Sequence, residues 1–263
     1  MTPLYLFDTP GLATLARYVA ADTLFAFDLD GTLAPIVEDH TAARVAEPVR
    51  STLQRLTRLA KVVVITGRAR KDVEAILGFE PHLVIGNHGA EWPPDNTNRN
   101  WQFVEYCLKW REQLHDALFY EPGVEIEFKG ESISLHYRKA PDADRALERV
   151  HAAIDQLEPA PRRFGGKFVV NVLPMQALGK GDALGAAMER FGLSRAVFFG
   201  DDETDEEVFR LQRADVFGVH IGKDEQTAAA YYLNRQSEML GLLNAIVGML
   251  ETQPGDGAAE LAD

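Results

Sequence analysis

Residues 25–35 read FAFDLDGTLAP. The first three are apolar, and then two aspartates stand on either side of one leucine, followed by Gly-Thr. A buried strand has no use for paired like charges at its end, and a solvated turn needs only one. The stretch therefore reads as a core strand that delivers two carboxylates to a reaction centre. Working outward, TLFAFDL (23–29) is a strand and EPVRSTLQRLTRLA (47–60) has helical spacing, with Pro48 tolerated in the first turn. KVVVIT (61–66) is a short β-branched strand closed by Gly67, and ARKDVEAILG (69–78) is a helix stopped by Gly78. HLVIGN (82–87) is again a strand. Continuously apolar strands alternating with helices imply a parallel sheet covered on both faces.

The same grammar returns late in the chain. GKGDALGAAMERFG (179–192) reads as helix, AVFFGDD (196–202) as strand and TDEEVFRLQRA (204–214) as helix. DVFGVHIG (215–222) reads as strand and EMLGLLNAIVGML (238–250) as helix. Between these halves the pattern changes. VEIEFKG (124–130) and SISLHYR (132–138) alternate apolar with polar, as half-exposed strands do, and a helix DADRALERVHAAIDQLE (142–158) precedes the strand KFVVNV (167–172). The expected fold class is α/β, a Rossmann-like parallel sheet core with an inserted α+β cap domain. Residues 1–92 and 173–251 form the core, 93–172 the cap, and 252–263 a flexible tail. PPDNTNRN (93–100) has linker composition.

Composition narrows the function. Of 263 residues, 46% are hydrophobic and 25% charged, ordinary for a soluble globular protein. The net charge of -13 argues against a nucleic-acid surface. No apolar run is long enough to span a bilayer, and a cytoplasmic location is expected. The single cysteine, Cys107, lies in the helical pattern VEYCLKWREQL (104–114) and reads as a packing residue.

Ligands of open α/β sheets bind beyond the carboxyl ends of the strands. Those ends carry Asp28 and Asp30; Thr66, Gly67 and Arg68; Asn87 and His88; and Asp201, Asp202 and, a turn later, Asp205. Lys180 opens a helix. So many carboxylates on one rim would repel one another unless a cation sat among them, and Mg²⁺ suits carboxylates, waters and a substrate phosphate. Each piece alone has an ordinary explanation: Thr66 as a cap, Lys180 as a surface lysine, the acidic run as a helix start. Their order along the strand ends makes coincidence a poor account.

DLDGT, ITGR, the GKG lysine and GDDETDE resemble the four motifs of the haloacid dehalogenase superfamily of phosphotransferases. With FDLDGTLAPI, GNHGAE and EFKGESISLHYR they look like the trehalose-6-phosphate phosphatase family. The resemblance implies Asp28 as nucleophile, forming an aspartyl-phosphate, and Asp30 as the acid and later the base. It implies Mg²⁺ on Asp28, Asp30 (through its carbonyl) and Asp201, supported by Asp202 or Asp205. Thr66 and Lys180 would serve catalysis, and Gly31 and Thr32 would shape the loop. Gly67, Arg68, Asn87, His88, Glu127 and Lys129 would bind substrate, with Glu91 near the rim and with His136 and Arg138 as further candidates on an edge strand. The expected partner is a small sugar phosphate, with no nucleic acid or membrane, and a monomer is expected. The chain departs from the family pattern at Asn171 and Leu173, where many relatives carry a glutamate and a basic residue; this bears on sugar selectivity. The competing readings are a phosphatase or mutase of another sugar phosphate, and an inactive regulatory or phospho-accepting domain.

Overall fold

The computed structural model describes residues 2–37, 42–93, 101–166 and 168–252. In chain order the elements are β1 (Leu4–Tyr5), α1 (Thr9–Leu15), β2 (Thr23–Phe27), α2 (Glu47–Leu59), β3 (Lys61–Ile65), α3 (Arg70–Leu77) and β4 (Leu83–Ile85). They continue with α4 (Trp101–Leu118), β5 (Glu125–Phe128), β6 (Ile133–His136), α5 (Ala143–Ile154), β7 (Pro161–Gly166) and β8 (Val169–Pro174). The last are α6 (Lys180–Phe191), β9 (Arg195–Gly200), α7 (Glu206–Phe209), β10 (Val216–Ile221), β11 (Tyr231–Leu233) and α8 (Met239–Thr252).

Seven strands form one parallel sheet in the order β1-β11-β10-β9-β2-β3-β4. All five residues of β2 are buried, and their side chains divide by period two. Phe25 and Phe27 pack with Leu53, Leu56 and Ile246 from α2 and α8. Leu24 and Ala26 pack with Leu184 and Met188 from α6 on the opposite face. Phe27 stacks on Phe199 of β9, ring centroids 4.8 Å apart. From β2 the chain winds to β3 and β4 on one side, while β9, β10 and β11 lie on the other. The switch point of the sheet is thus between β2 and β9, whose carboxyl ends carry Asp28 and Asp201. Gly78 and Gly192 end α3 and α6 in the left-handed conformation, as the helix-stop pattern predicts.

The middle of the chain builds an antiparallel sheet, β5-β6-β8-β7. Ile133, Leu135, Val170 and Val172 bury one face against Trp110 and Leu114 of α4 and Val150 of α5. Cys107 lies in this core at 0% exposure, and burial pushes its thiol up to about 12, so it is an inert packing group. The other face carries the row Glu127, Ser134, Asn171 and Phe164, four residues in cross-strand register.

The structure corrects three sequence expectations. β6, with His136, is an interior strand rather than an edge: β8 pairs along its free side, and β7, whose PRRFGG lacks an alternating signal, adds beyond. The helix expected over 204–214 shrinks to the four residues of α7, and Gln212 takes a positive φ of 45° just after it. The short strands β1 and β11 were silent in the sequence, being two and three residues long. The expected linker falls outside the described residues beyond Pro93, and the expected tail does so beyond Thr252. Among the described residues no helix is long and apolar enough to cross a membrane.

Candidate active site

The site grows from the switch point. Asp28 extends the pairing of β2, its N–H donating to the Phe199 carbonyl at 2.8 Å. Beyond it the chain folds into a tight loop: Ala34 N–H donates to Leu29 O at 2.8 Å, and Gly31 N–H to Ala34 O at 2.7 Å. Gly31 has φ 89°, and a Cβ there would lie 1.9 Å from Asp201 Oδ2. Only glycine lets the loop come this close to the facing aspartate. Thr32 Oγ1 donates to Asp201 Oδ1 at 3.2 Å, tying the two loops together.

Lys180, at the first turn of α6 and 2% exposed, donates to Asp28 Oδ1 at 2.7 Å and to Asp205 Oδ1 at 2.8 Å. Asp205 Oδ2 accepts the backbone N–H groups of Asp201 and Asp202, both at 3.0 Å. Both Asp205 oxygens are therefore occupied, and its carboxylate shapes the 201–205 loop. That claim on the backbone also explains why α7 starts late. Oxygens of Asp28, Asp201 and Asp205 all lie within 4.8 Å of one another.

Three carboxylates around one ammonium leave a net negative charge in a buried place. Burial, and then Asp205 against the relief from Lys180, hold the Asp28 carboxyl well above its ordinary range. Asp201 is pushed up to about 8 by burial and by Asp205. Asp202 is raised as well, chiefly by burial. Although burial opposes its charge, Lys180 is held above the ordinary lysine range by Asp205 and Asp28. Hard oxygen donors with unneutralised charge are what a divalent cation such as Mg²⁺ requires, so this donor set fits one.

A stability prediction follows. A carboxyl raised in the folded state keeps its proton where the unfolded chain has lost it, from about pH 4 to about pH 8 for Asp201. At these carboxylates the folded, metal-free protein binds more protons than the unfolded chain, so they cost stability as pH rises through the window. His88 and His82, held neutral in the fold, act in the opposite sense below about pH 6.5, so the carboxylate effect is read above it. Thermal unfolding in EDTA should show Tm falling from about pH 6.5 to pH 8, and added Mg²⁺ should flatten the slope; a flat or rising Tm in EDTA over that range would refute the assignment.

Asp30 turns away from this cluster onto Arg68, whose Nε and Nη2 donate to its two oxygens at 2.6 Å each. The Arg68 fork, expected to serve substrate, is thus spent on the second aspartate. Thr66 is buried at the end of β3, and its Oγ1 accepts the Arg68 N–H at 3.2 Å, leaving the hydroxyl proton to donate.

A cavity of about 690 Å³ opens over this rim, within the range of about 300–1,000 Å³ typical of small-molecule sites. Asp28, Asp30, Thr66, Gly67, Arg68, His88, Lys180, Asp201 and Asp202 line it from the parallel sheet. Glu127, Lys129, His136, Arg138 and Asn171 line it from the antiparallel sheet. Asn87 and Glu91 do not line it: Asn87 is 0% exposed and stands behind the wall. Leu173 is also buried, against Phe103 and Ala177, and does not line the cavity.

On the antiparallel sheet, Glu127 Oε2 accepts from His136 Nε2 at 2.9 Å and lies 3.6 Å from Lys129 Nζ. Ser134 Oγ donates to Asn171 Oδ1 at 2.6 Å, which leaves the Asn171 amide N–H₂ as a donor. Ser134 was missed by sequence reasoning, although it shares the period-two face of His136. Arg44 and Thr204 also line the cavity; nothing in its local sequence marks Arg44, and Thr204 lies within GDDETDE between the acidic residues that carry the motif. His88 is kept neutral, its pKa held well below the ordinary value by burial and by Lys180, Lys129 and Arg162. Arg162 of β7 pairs with Glu207 of α7 at 2.8 Å, a direct bond between the antiparallel sheet and the parallel core.

Comparison with known proteins agrees with this arrangement. The trehalose-phosphatase family model matches residues 26–237. The chain is 33% identical over 225 residues to trehalose-6-phosphate phosphatase of Escherichia coli (strain K12), covering 82% of this chain and 81% of that protein. It is 27% identical over 242 residues to the probable trehalose-phosphate phosphatase D of Arabidopsis thaliana, covering 84% of this chain and 66% of that one. Among solved structures, the C-terminal domain of C. albicans trehalose-6-phosphate phosphatase superposes with a TM-score of 0.75 at 23% identity, covering 94% of this chain and 98% of that one. Fold and matches define a phosphatase hydrolase. Within that class, the chain belongs to the trehalose-phosphatase family.

Proposed function

We propose that this chain hydrolyses trehalose 6-phosphate to trehalose and phosphate, in a Mg²⁺-dependent reaction through an aspartyl-phosphate on Asp28. The observation that carries the reading is Asp28 itself: a buried carboxylate at the sheet's switch point, fixed by Lys180 at 2.7 Å and open to the cavity. Asp28 attacks phosphorus and the sugar oxygen leaves with a proton from Asp30. Asp30 then takes a proton from the water that cleaves the acyl phosphate. For the first step Asp30 must give up the Arg68 fork, and the incoming phosphate, an anion, is the competitor that draws Arg68 away. Thr66 Oγ1 and the Gly67 N–H hold a phosphoryl oxygen. Asp28, Asp201 and the Asp30 carbonyl would hold Mg²⁺, which supplies charge neutralisation for the phosphoryl group. Asp202 lies beside them, whereas Asp205 acts by ordering the loop and Lys180.

Residues 93–172 act as a cap over the core of residues 1–92 and 173–251, and the polar row of the antiparallel sheet meets the leaving sugar. Glu127 and Lys129 bind its hydroxyls, with His136 orienting Glu127. The chain works as a cytoplasmic monomer. A second reading, a phosphatase of another sugar phosphate, draws on Asn171: it offers a neutral amide donor where the family pattern has a glutamate. A phospho-accepting or inactive domain is disfavoured, because every motif side chain is present and the nucleophile is assembled.

Phosphate release from a panel of sugar phosphates decides between them. Trehalose 6-phosphate should turn over fastest, and EDTA should reduce the rate at least about a hundredfold, with recovery on adding Mg²⁺. Rapid turnover of another member with trehalose 6-phosphate inert would reassign the substrate. Activity undiminished by EDTA would remove the metal from the reading.

A further inference from the structure

Asn87 and His88 sit where the two sheets meet, and their conformations are unusual. They are consecutive non-glycine residues in the left-handed region, with φ of 48° and 58°. L-residues avoid this region unless the surroundings impose it. Here two sets of bonds impose it. On the core side, Asn87 N–H donates to Arg68 O and His88 N–H to Thr66 O, both at 2.9 Å. These are the carbonyls on either side of Gly67. On the other side, the Asn87 side chain reaches the β5–β6 turn: Ser132 Oγ donates to Asn87 Oδ1 at 2.9 Å, and Asn87 Nδ2 donates to Lys129 O at 3.3 Å. Nδ2 also donates to Glu91 Oε2 at 3.0 Å, which itself accepts the Arg70 N–H at 2.8 Å.

The His88 ring completes the joint. It lies on Gly67 so closely that a Cβ there would be 2.2 Å from His88 Cε1. Its other contact is the Phe164 ring of β7, 4.5 Å between centroids at 71°. Lys129, from the same β5–β6 turn, donates through Nζ to Gly67 O at 3.2 Å. All three carbonyls of Thr66, Gly67 and Arg68 are therefore taken, two by the Asn87–His88 backbone and one by the antiparallel sheet. The Thr66 N–H donates to Ile85 O and the Arg68 N–H to Thr66 Oγ1, so what remains for a ligand is the opposite side of the loop, with the Gly67 N–H and the Thr66 hydroxyl.

We propose that Asn87 and His88 are positioning residues that couple docking of the antiparallel sheet to the shape of the 66–68 loop, so that the loop holds phosphate well only when Ser132 is seated on Asn87. This rests on the phosphatase reading and deepens it, adding Ser132, which touches no reacting group, as the far end of the coupling. A contact that served only to hold a lid over the sugar would matter for a sugar phosphate and not for a small ester. A contact that sets the loop matters for every phosphate.

The test uses the full chain with Mg²⁺, the variants Ser132→Ala, Asn87→Ala and the double variant, two substrates (p-nitrophenyl phosphate and trehalose 6-phosphate), and calorimetric binding of inorganic phosphate. Ser132→Ala should weaken phosphate binding and lower kcat/KM for both substrates, by about tenfold or more. The double variant should be no worse than Asn87→Ala, since both cut one link. Loss confined to trehalose 6-phosphate, unchanged phosphate affinity, or additive losses would each overturn the coupling. Should Asn87→Ala not fold, the phosphate affinity and p-nitrophenyl phosphate rate of Ser132→Ala decide alone. A wild-type chain that binds phosphate yet cleaves no ester would sink the phosphatase reading, while the Ser132→Ala affinity would still report on the coupling.

Discussion

Asp28→Asn should abolish phosphate release, lowering kcat by about 10⁴-fold or more, equivalent to roughly 5.5 kcal/mol of barrier. The amide keeps the shape of the side chain and its place beside Lys180, but it cannot attack phosphorus. The same substitution should stabilise the metal-free fold. Burial holds the Asp28 carboxyl well above its ordinary range, so at neutral pH the folded state bears the cost of ionising it. An amide has no such cost. Tm in EDTA should therefore rise, each ~1 kcal/mol of relief being worth roughly 2–4 °C in a chain of this size. Steady-state phosphate release and thermal unfolding in EDTA check the two halves separately. Full activity in the variant would end the nucleophile assignment; a fall in Tm would mean that the carboxylate holds the fold together rather than straining it.

Lys180→Met should cost both activity and stability. Its ammonium bonds Asp28 and Asp205 at 2.7 and 2.8 Å from a position 2% exposed. Methionine fills much of the space, but it leaves two buried carboxylates facing each other without a counter-charge. Breaking a buried pair this way costs about 3–5 kcal/mol. Asp205 would also lose the partner that sets its orientation, and with it the hold of its other oxygen on the Asp201 and Asp202 N–H groups. We expect kcat to fall by about 10³-fold. Tm should drop by roughly 6 °C or more in EDTA, with partial recovery at high Mg²⁺. A variant with unchanged Tm would show that the cluster does not depend on lysine for its charge balance.

Much of the fold could be read from the chain because buried parallel strands have a strong signature. TLFAF, KVVVI and AVFFG are too apolar and too short for anything else, and each is followed directly by a residue of the site, Asp28, Thr66 and Asp201. The failures have definite causes. PRRFGG carries no alternation, so β7 has no signature in the sequence and β6 reads as an edge. The helix after GDDETDE starts late because Asp205 draws the preceding N–H groups to its carboxylate, a bond made through side-chain geometry and not through propensity. Asn87 was expected to face substrate because the sequence reads it as the end of a parallel strand. It stands two residues past the end of β4, in a left-handed turn that sends its amide to Ser132, 45 residues away in sequence.

The sequence by itself determined which residues follow the buried strands, Asp28 directly after TLFAF and Asp201 directly after AVFFG; that the two meet at one edge is set by the parallel pairing of β2 with β9. It also determined the chemistry available there, since carboxylates, a threonine and a lysine are legible as types. Only the tertiary structure decided how they divide the work. That Asp205 positions while Asp28 and Asp201 stay open, that Arg68 clasps Asp30, and that Asn87 joins the sheets are outcomes of hydrogen-bond competition between distant segments. Strand ends are set by local periodicity, but the partner a polar group finds once buried depends on which other groups the topology places within about 3 Å of it.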